Sequence, residues 1–240
     1  MKPVDLDVII TTNSKDEALW KMTHDAIRSL RQSEGGENFN LIVVETNTAA
    51  AEYPEADVTV KPNEPFRINR FFNLGARHCR GDYLLVTNND VLYERDWWRE
   101  MKADFIRERL DSACPQMTNE QPDIMERWLR QKHTTVNLEG YDWFFGQAWV
   151  ITKGVREWIF PLDENIHFYY NEDDMVMRLR ERKCRHHLIH RSRMQHFQAK
   201  SHHILKEEGR YQEVTSGAQE YFRKKWRRSK VSFLLKWIFG

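Results

Sequence analysis

The stretch Leu84-Leu85-Val86-Thr87-Asn88-Asn89-Asp90-Val91, LLVTNNDV, starts as an apolar, β-favouring run and ends on two amides and a carboxylate. A strand that is apolar at successive positions buries both faces, as in a parallel sheet covered by helices on either side. Ligands of such sheets settle beyond the carboxyl ends of the strands, where loops and helix N-termini gather. Two further runs share this form: Val8-Ile9-Ile10 leads into Thr11-Thr12-Asn13, and Leu41-Ile42-Val43-Val44 into Glu45-Thr46-Asn47. Turn chemistry is the plain alternative for each ending taken singly. Three endings of one kind point to a shared site.

Around these strands, Asp16 to Gln32 has helical spacing in Leu19, Met22, Ala26 and Leu30, and Gly35-Gly36 ends it. Val58-Thr59-Val60 reads as a third strand, and a helix around Arg70 to Cys79 precedes Tyr83 to Val86. The alternation predicts an α/β domain with a mostly parallel central sheet flanked by helices. Asp96 is placed to cap a helix running to Leu110, with Trp97, Met101, Phe105 and Ile106 on its inward face. Residues 112–139, broken by Pro115 and Pro122, read as loop around a short helix at Ile124 to Gln131. After the aromatic run Tyr141 to Phe145, Gly146 either permits close approach of a substrate or marks a bulge before a strand ending at Ile151. Asn171-Glu172-Asp173-Asp174 opens another helix with three acids in its first turn, which the helix dipole favours. Adjacent carboxylates also repel, and in an enclosed site that raises the pKa of one member toward the range of a general base.

Lys and Arg number 37 against 36 Asp and Glu, a net charge of +1, so the whole molecule offers no field to draw in nucleic acid or an anionic membrane. Three widely spaced cysteines support neither a disulfide framework nor a zinc site. The apolar run near the N-terminus is too short for a signal peptide or a span, and the expectation is a cytoplasmic protein. Residues 221–230 are strongly basic and 231–239 largely apolar. That pattern fits docking on the body, an interfacial helix on an anionic membrane, or a grip on DNA phosphates.

The order Asn73-Leu74-Gly75, Gly81-Asp82-Tyr83, Asn88-Asn89-Asp90 resembles the NLG, GDY and NxD passage of the GT-A glycosyltransferases, especially family 2, including small members encoded by tailed phages. The resemblance spans roughly residues 4 to 200. It implies a Rossmann-like GT-A domain over 1–205, divided into a nucleotide-binding half 1–95 and an acceptor and catalytic half 96–205, with a basic-aromatic extension at 206–240. The implied activity is inverting transfer of a hexose-type sugar from a nucleoside diphosphate sugar, UDP favoured, to an acceptor hydroxyl.

In the family's metal-binding DxD element the first acid is here Asn88, leaving Asp90 as the carboxylate. An amide oxygen still ligates a hard cation such as Mn2+ or Mg2+, without adding charge. His196 resembles the histidine that completes the metal site in many relatives. Thr11, Asn13 and Glu45 correspond to base and ribose contacts, Glu45 standing where relatives commonly carry Asp. Asn69, Asn73 and Asn89 are further candidates for the donor pocket. Glu172-Asp173 resembles the catalytic ED element, and a register shifted by one places Asn171-Glu172 there instead. Glu172 is an acid in both, hence the expected base, with Asp173 in reserve. The acceptors implied are a surface glycan, a lipid-linked saccharide, a protein or a hydroxymethylated DNA base, with peripheral contact at the inner membrane face through 221–239. Two other functions share the fold: a non-catalytic nucleotide- or carbohydrate-binding protein, and a nucleotidyltransferase.

Overall fold

The computed structural model describes residues 4–119, 137–167, 169–197 and 217–227. The strands are β1 (Leu6–Thr12), β2 (Phe39–Glu45), β3 (Val58–Val60), β4 (Tyr83–Thr87), β5 (Val91–Tyr93), β6 (Ser112–Met117), β7 (Leu138–Glu139), β8 (Ala148–Thr152) and β9 (His186–His196). The helices are α1 (Glu17–Gln32), α2 (Ile68–Ala76), α3 (Trp97–Glu108), α4 (Lys153–Ile159), α5 (Asn171–Glu181) and α6 (217–227). One sheet runs β3-β2-β1-β4-β8-β6-β9-β5, with β7 also paired to β9. From the pairings, β1, β2, β3, β4, β6 and β9 point one way, and β5, β7 and β8 the other. The sheet is therefore mostly parallel.

Successive residues of β1 and β2 serve opposite faces. Val8, Ile10, Leu41 and Val43 pack with Ile27 and Leu30 of α1 and with Trp97, Met101 and Phe105 of α3. Ile9, Ile42 and Val44 pack with Phe71 and Phe72 of α2, Val155 and Ile159 of α4, and Met175 and Leu179 of α5. Helices on both sides are why the strands carry unbroken apolar runs.

The structure departs from the sequence reading at three places. Ser112–Met117 is a strand rather than loop: Pro115 is tolerated because the register with β9 shifts between Pro115 and Gln116, and at such an irregularity a missing N–H leaves no gap in the ladder. Ile106 is 65 % exposed and lies off the inward face of α3. Residues 186–196, to which the sequence reading assigned no element, form the long strand β9, which pairs with β6 on one side and with β5 and β7 on the other. The Ile124–Gln131 helix and the apolar run 231–239 lie outside the described residues. No described helix is long and apolar enough to cross a membrane.

Gly75 of the NLG motif has a packing reason. A Cβ there would stand 2.7 Å from Cγ2 of Ile9, so the glycine lets α2 lie directly on β1. In an open helix, Gly to Ala stabilises by up to about 1 kcal/mol. Here Gly75→Ala is expected to destabilise by about 1 to 3 kcal/mol through overpacking. The check is the midpoint of chemical denaturation, and an unchanged or raised midpoint would show that Ile9 yields freely.

Candidate active site

β4 ends at Thr87, and the chain turns through Asn88-Asn89-Asp90 into β5. β5 pairs with the last residues of β9, setting Val91 opposite His196, and the Phe197 N–H donates to the Asp90 carbonyl at 2.9 Å. This ladder brings residues 106 positions apart into contact: His196 Nε2 lies 3.4 Å from Asp90 Oδ2. Asp90 is only 2 % exposed, and neither carboxylate oxygen receives a hydrogen bond from a described residue. A buried carboxylate in that condition carries a large desolvation penalty, which a bound cation removes. A carboxylate and an imidazole nitrogen side by side are groups that could ligate a divalent cation. No cluster of three or more His, Cys, Asp or Glu side chains placed to hold a metal ion occurs among the described residues.

Glu172, in the first turn of α5, lies against Gly146, next to the start of β8. Asn88 N–H and Thr87 Oγ1 both donate to the Gln147 carbonyl, at 2.9 and 3.2 Å, fixing the start of β8 against the end of β4. The preceding residue is Gly146, and a Cβ on it would stand 3.2 Å from Cβ and Cδ of Glu172. The close approach that this glycine permits is thus by Glu172 itself. Burial raises the pKa of Glu172, with the Asp173 charge adding to the rise. Asp173, more exposed, is also raised by desolvation. Gln147 Oε1 is buried here without a hydrogen-bond partner among the described residues.

An open cleft of about 400 Å³ lies at the ends of β1 and β2, lined by Ser14, Lys15, Asp16, Trp20 and Asn47 among others. Glu45 lies beneath it, fully buried. Its Oε1 accepts from the Ser14 and Asn47 N–H groups at 3.1 and 2.8 Å, and its Oε2 from the Tyr53 hydroxyl at 2.8 Å. Glu45 therefore shapes the two loops that make the cleft. Thr11 is buried and Asn13 half-buried, both just before the lining residues. Asn47 belongs to one of the polar strand ends, whereas Ser14 and Lys15 of the following loop and Trp20 of α1 were not among the sequence candidates, because a loop's path is not written in strand periodicity.

The remaining candidates brace the site. Asn89 Nδ2 donates to Thr12 Oγ1 and Thr23 Oγ1 at 3.1 and 3.0 Å, tying the β4 turn to β1 and α1. Asn69 and Asn73, one turn apart on α2, hold the segment before α5: Asn69 Nδ2 donates to the Asp163 carbonyl, Asn73 Nδ2 to the Leu162 carbonyl and Glu164 Oε1, and Leu162 N–H to Asn73 Oδ1. Asn88 stays half-buried beside Asp90.

The family model described as Glycosyl transferase family 2 matches residues 7–194. Among solved structures, S. aureus TarS 1–349 superimposes with a TM-score of 0.59 at 11 % identity, covering 77 % of this chain and 58 % of that one. S. aureus TarS gives 0.57 at 11 % identity over 77 % of this chain and 35 % of its own length. The chain thus spans little more than half of the first and about a third of the second, and at such identity the likeness is one of fold. No curated protein sequence matches the chain significantly.

A carboxyl whose folded pKa is raised binds its proton more tightly in the folded state. It leaves stability untouched below the unfolded carboxylate range and subtracts from it as pH climbs through that range toward the folded value. Glu172→Gln is therefore expected to melt above wild type at neutral pH, the two curves converging as pH falls to about 4. A variant that melts below wild type at neutral pH would contradict this placement of Glu172.

Proposed function

The chain belongs to glycosyl transferase family 2, and from that premise we propose that it moves a hexose-type sugar from a nucleoside diphosphate sugar, UDP favoured, to an acceptor hydroxyl with inversion. The observation that carries the reading is Asp90, a buried carboxylate that receives no hydrogen bond from a described residue, set beside His196, with Glu172 against Gly146 where β8 meets the end of β4. Asp90 and His196 would hold a divalent cation, Mn2+ or Mg2+, which when bound would supply positive charge to the departing diphosphate. Ser14, Lys15, Trp20 and Asn47 receive the nucleoside in the cleft, with Glu45 and Tyr53 fixing its walls.

Glu172 takes the proton of the acceptor hydroxyl as attack develops, a contribution of about 10²–10⁴-fold for a positioned base. Its raised pKa suits that task, since a base hungrier for protons removes one more readily. The acceptor oxygen bonds to the anomeric carbon while the bond from that carbon to the phosphate oxygen breaks. The nucleoside diphosphate departs with the electron pair, and the proton rests on Glu172. One displacement without an enzyme nucleophile inverts the anomeric centre, by the logic known from glycoside hydrolases. Gln147, with its side-chain oxygen unsatisfied near the junction of β4 and β8, offers an acceptor to a sugar hydroxyl. Surface glycans, lipid-linked saccharides, proteins and hydroxymethylated DNA bases remain the acceptor classes to test.

Screening nucleotide sugars with Mn2+ or Mg2+ is expected to release a nucleoside diphosphate and, by NMR, an inverted glycoside. Pyrophosphate release would indicate nucleotidyl transfer, and tight binding with no turnover a binding protein. Glu172→Gln is expected to lower turnover by about 100-fold or more while donor affinity stays within about threefold. Asp90→Ala is expected to abolish the metal-dependent part of donor binding measured by calorimetry. Unchanged turnover in the first variant, or unchanged metal dependence in the second, would overturn the assignment.

A further inference from the structure

We infer that α6, through Lys225, is a clamp that positions Glu172, and the inference rests on the catalytic role proposed for that residue. Asp174, two residues after Glu172, is 1 % exposed; Trp226 Nε1 donates to its Oδ1 at 2.8 Å, and Lys225 Nζ lies 2.7 Å from the same oxygen. Tyr170, two residues before Glu172, stacks on Phe222 with ring centroids 5.4 Å apart, and its hydroxyl accepts from Gln219 Nε2 at 2.6 Å. One helix therefore holds both flanks of the residue.

Tyr170 needs holding. Its φ of 67° and ψ of 10° put a bulky side chain in the left-handed region, a conformation that persists only where the surroundings enforce it. The turn it makes sends Asn171 and Glu172 into the first turn of α5. Lys225 extends the grip to the segment before it, donating to Asp163 Oδ2 at 2.8 Å, where Tyr221 also donates at 2.9 Å. Burial would raise the pKa of Asp163, but the bonds from Lys225, Asn165 and Tyr221 outweigh it and bring the value down to about 2. From below, Asn69 and Asn73 hold residues 162–164. Glu172 is thus approached by a loop and helix start fastened on one side by α2 and on the other by α6. A shift of about 1 Å in a catalytic group costs up to 100-fold in rate, so a clamp with no contact to substrate still governs turnover.

The test uses full-length Lys225→Ala and Lys225→Arg, compared with wild type by steady-state kinetics, donor calorimetry and hydrogen exchange. Lys225→Ala is expected to speed exchange in peptides covering 169–175 by tenfold or more, with peptides of β1 and β4 unchanged. Turnover is expected to fall by tenfold to a hundredfold with KM and Kd for the donor within threefold, and Lys225→Arg to recover most of it. Unchanged exchange at 169–175, or a lower melting temperature with unchanged turnover, would overturn the clamp. If wild type turns over no donor, the catalytic reading fails, while the exchange data still decide whether α6 orders the start of α5.

Discussion

Asp90 is a carboxylate taken out of water with no hydrogen bond from a described residue, and this separates it from the other buried acids. Asp7 receives the Arg156 guanidinium, the Arg80 and Gly81 N–H groups and the Asn40 amide. Glu45 receives two backbone N–H groups and a tyrosine hydroxyl. Asp174 receives Lys225 and Trp226. An unanswered ion in the interior costs several kcal/mol. Asp104 receives Arg107 and the Asn137 amide, so the fold answers four such groups internally and gives the fifth only an imidazole at 3.4 Å.

The architecture explains how two distant segments share that place. Parallel β1, β2 and β4 bring their carboxyl ends together, and β8, antiparallel to β4, begins where β4 stops. Gly146 at that beginning leaves room for Glu172. β5 doubles back beside β9, whose last residue is His196. Asp90 sits in the turn between two paired strands, His196 ends β9 and Glu172 opens α5, so each is held by the sheet or by a helix packed on it.

The central strands and their polar ends were legible because burial on both faces writes an apolar run that local sequence alone displays. Pro115 hid β6, since a proline argues against an inner strand unless a register shift absorbs it. β9 was disguised by its charges. Its second half alternates inward Ser192, Met194 and His196 with outward Arg191, Arg193 and Gln195, a period of two that would have revealed it. Asp90, His196 and Glu172 were placed by the order of family motifs, while Asn69, Asn73, Asn89 and Glu45 were found bracing the site through contacts across the chain. Lys225 was beyond reach, because nothing local joins it to carboxylates 62 and 51 residues earlier.

The likeness to TarS at 11 % identity establishes a shared architecture, and chemistry has to be argued from the site. The proposed chemistry turns on whether Asp90 meets a cation and a diphosphate. The most direct measurement is a crystal structure with Mn2+ and UDP, with the metal located by anomalous scattering. The account predicts one peak within coordination distance of Asp90 and His196, touching the diphosphate, with the nucleoside in the cleft beside Ser14 and Asn47. A diphosphate bound elsewhere, with Asp90 still bare, would contradict it.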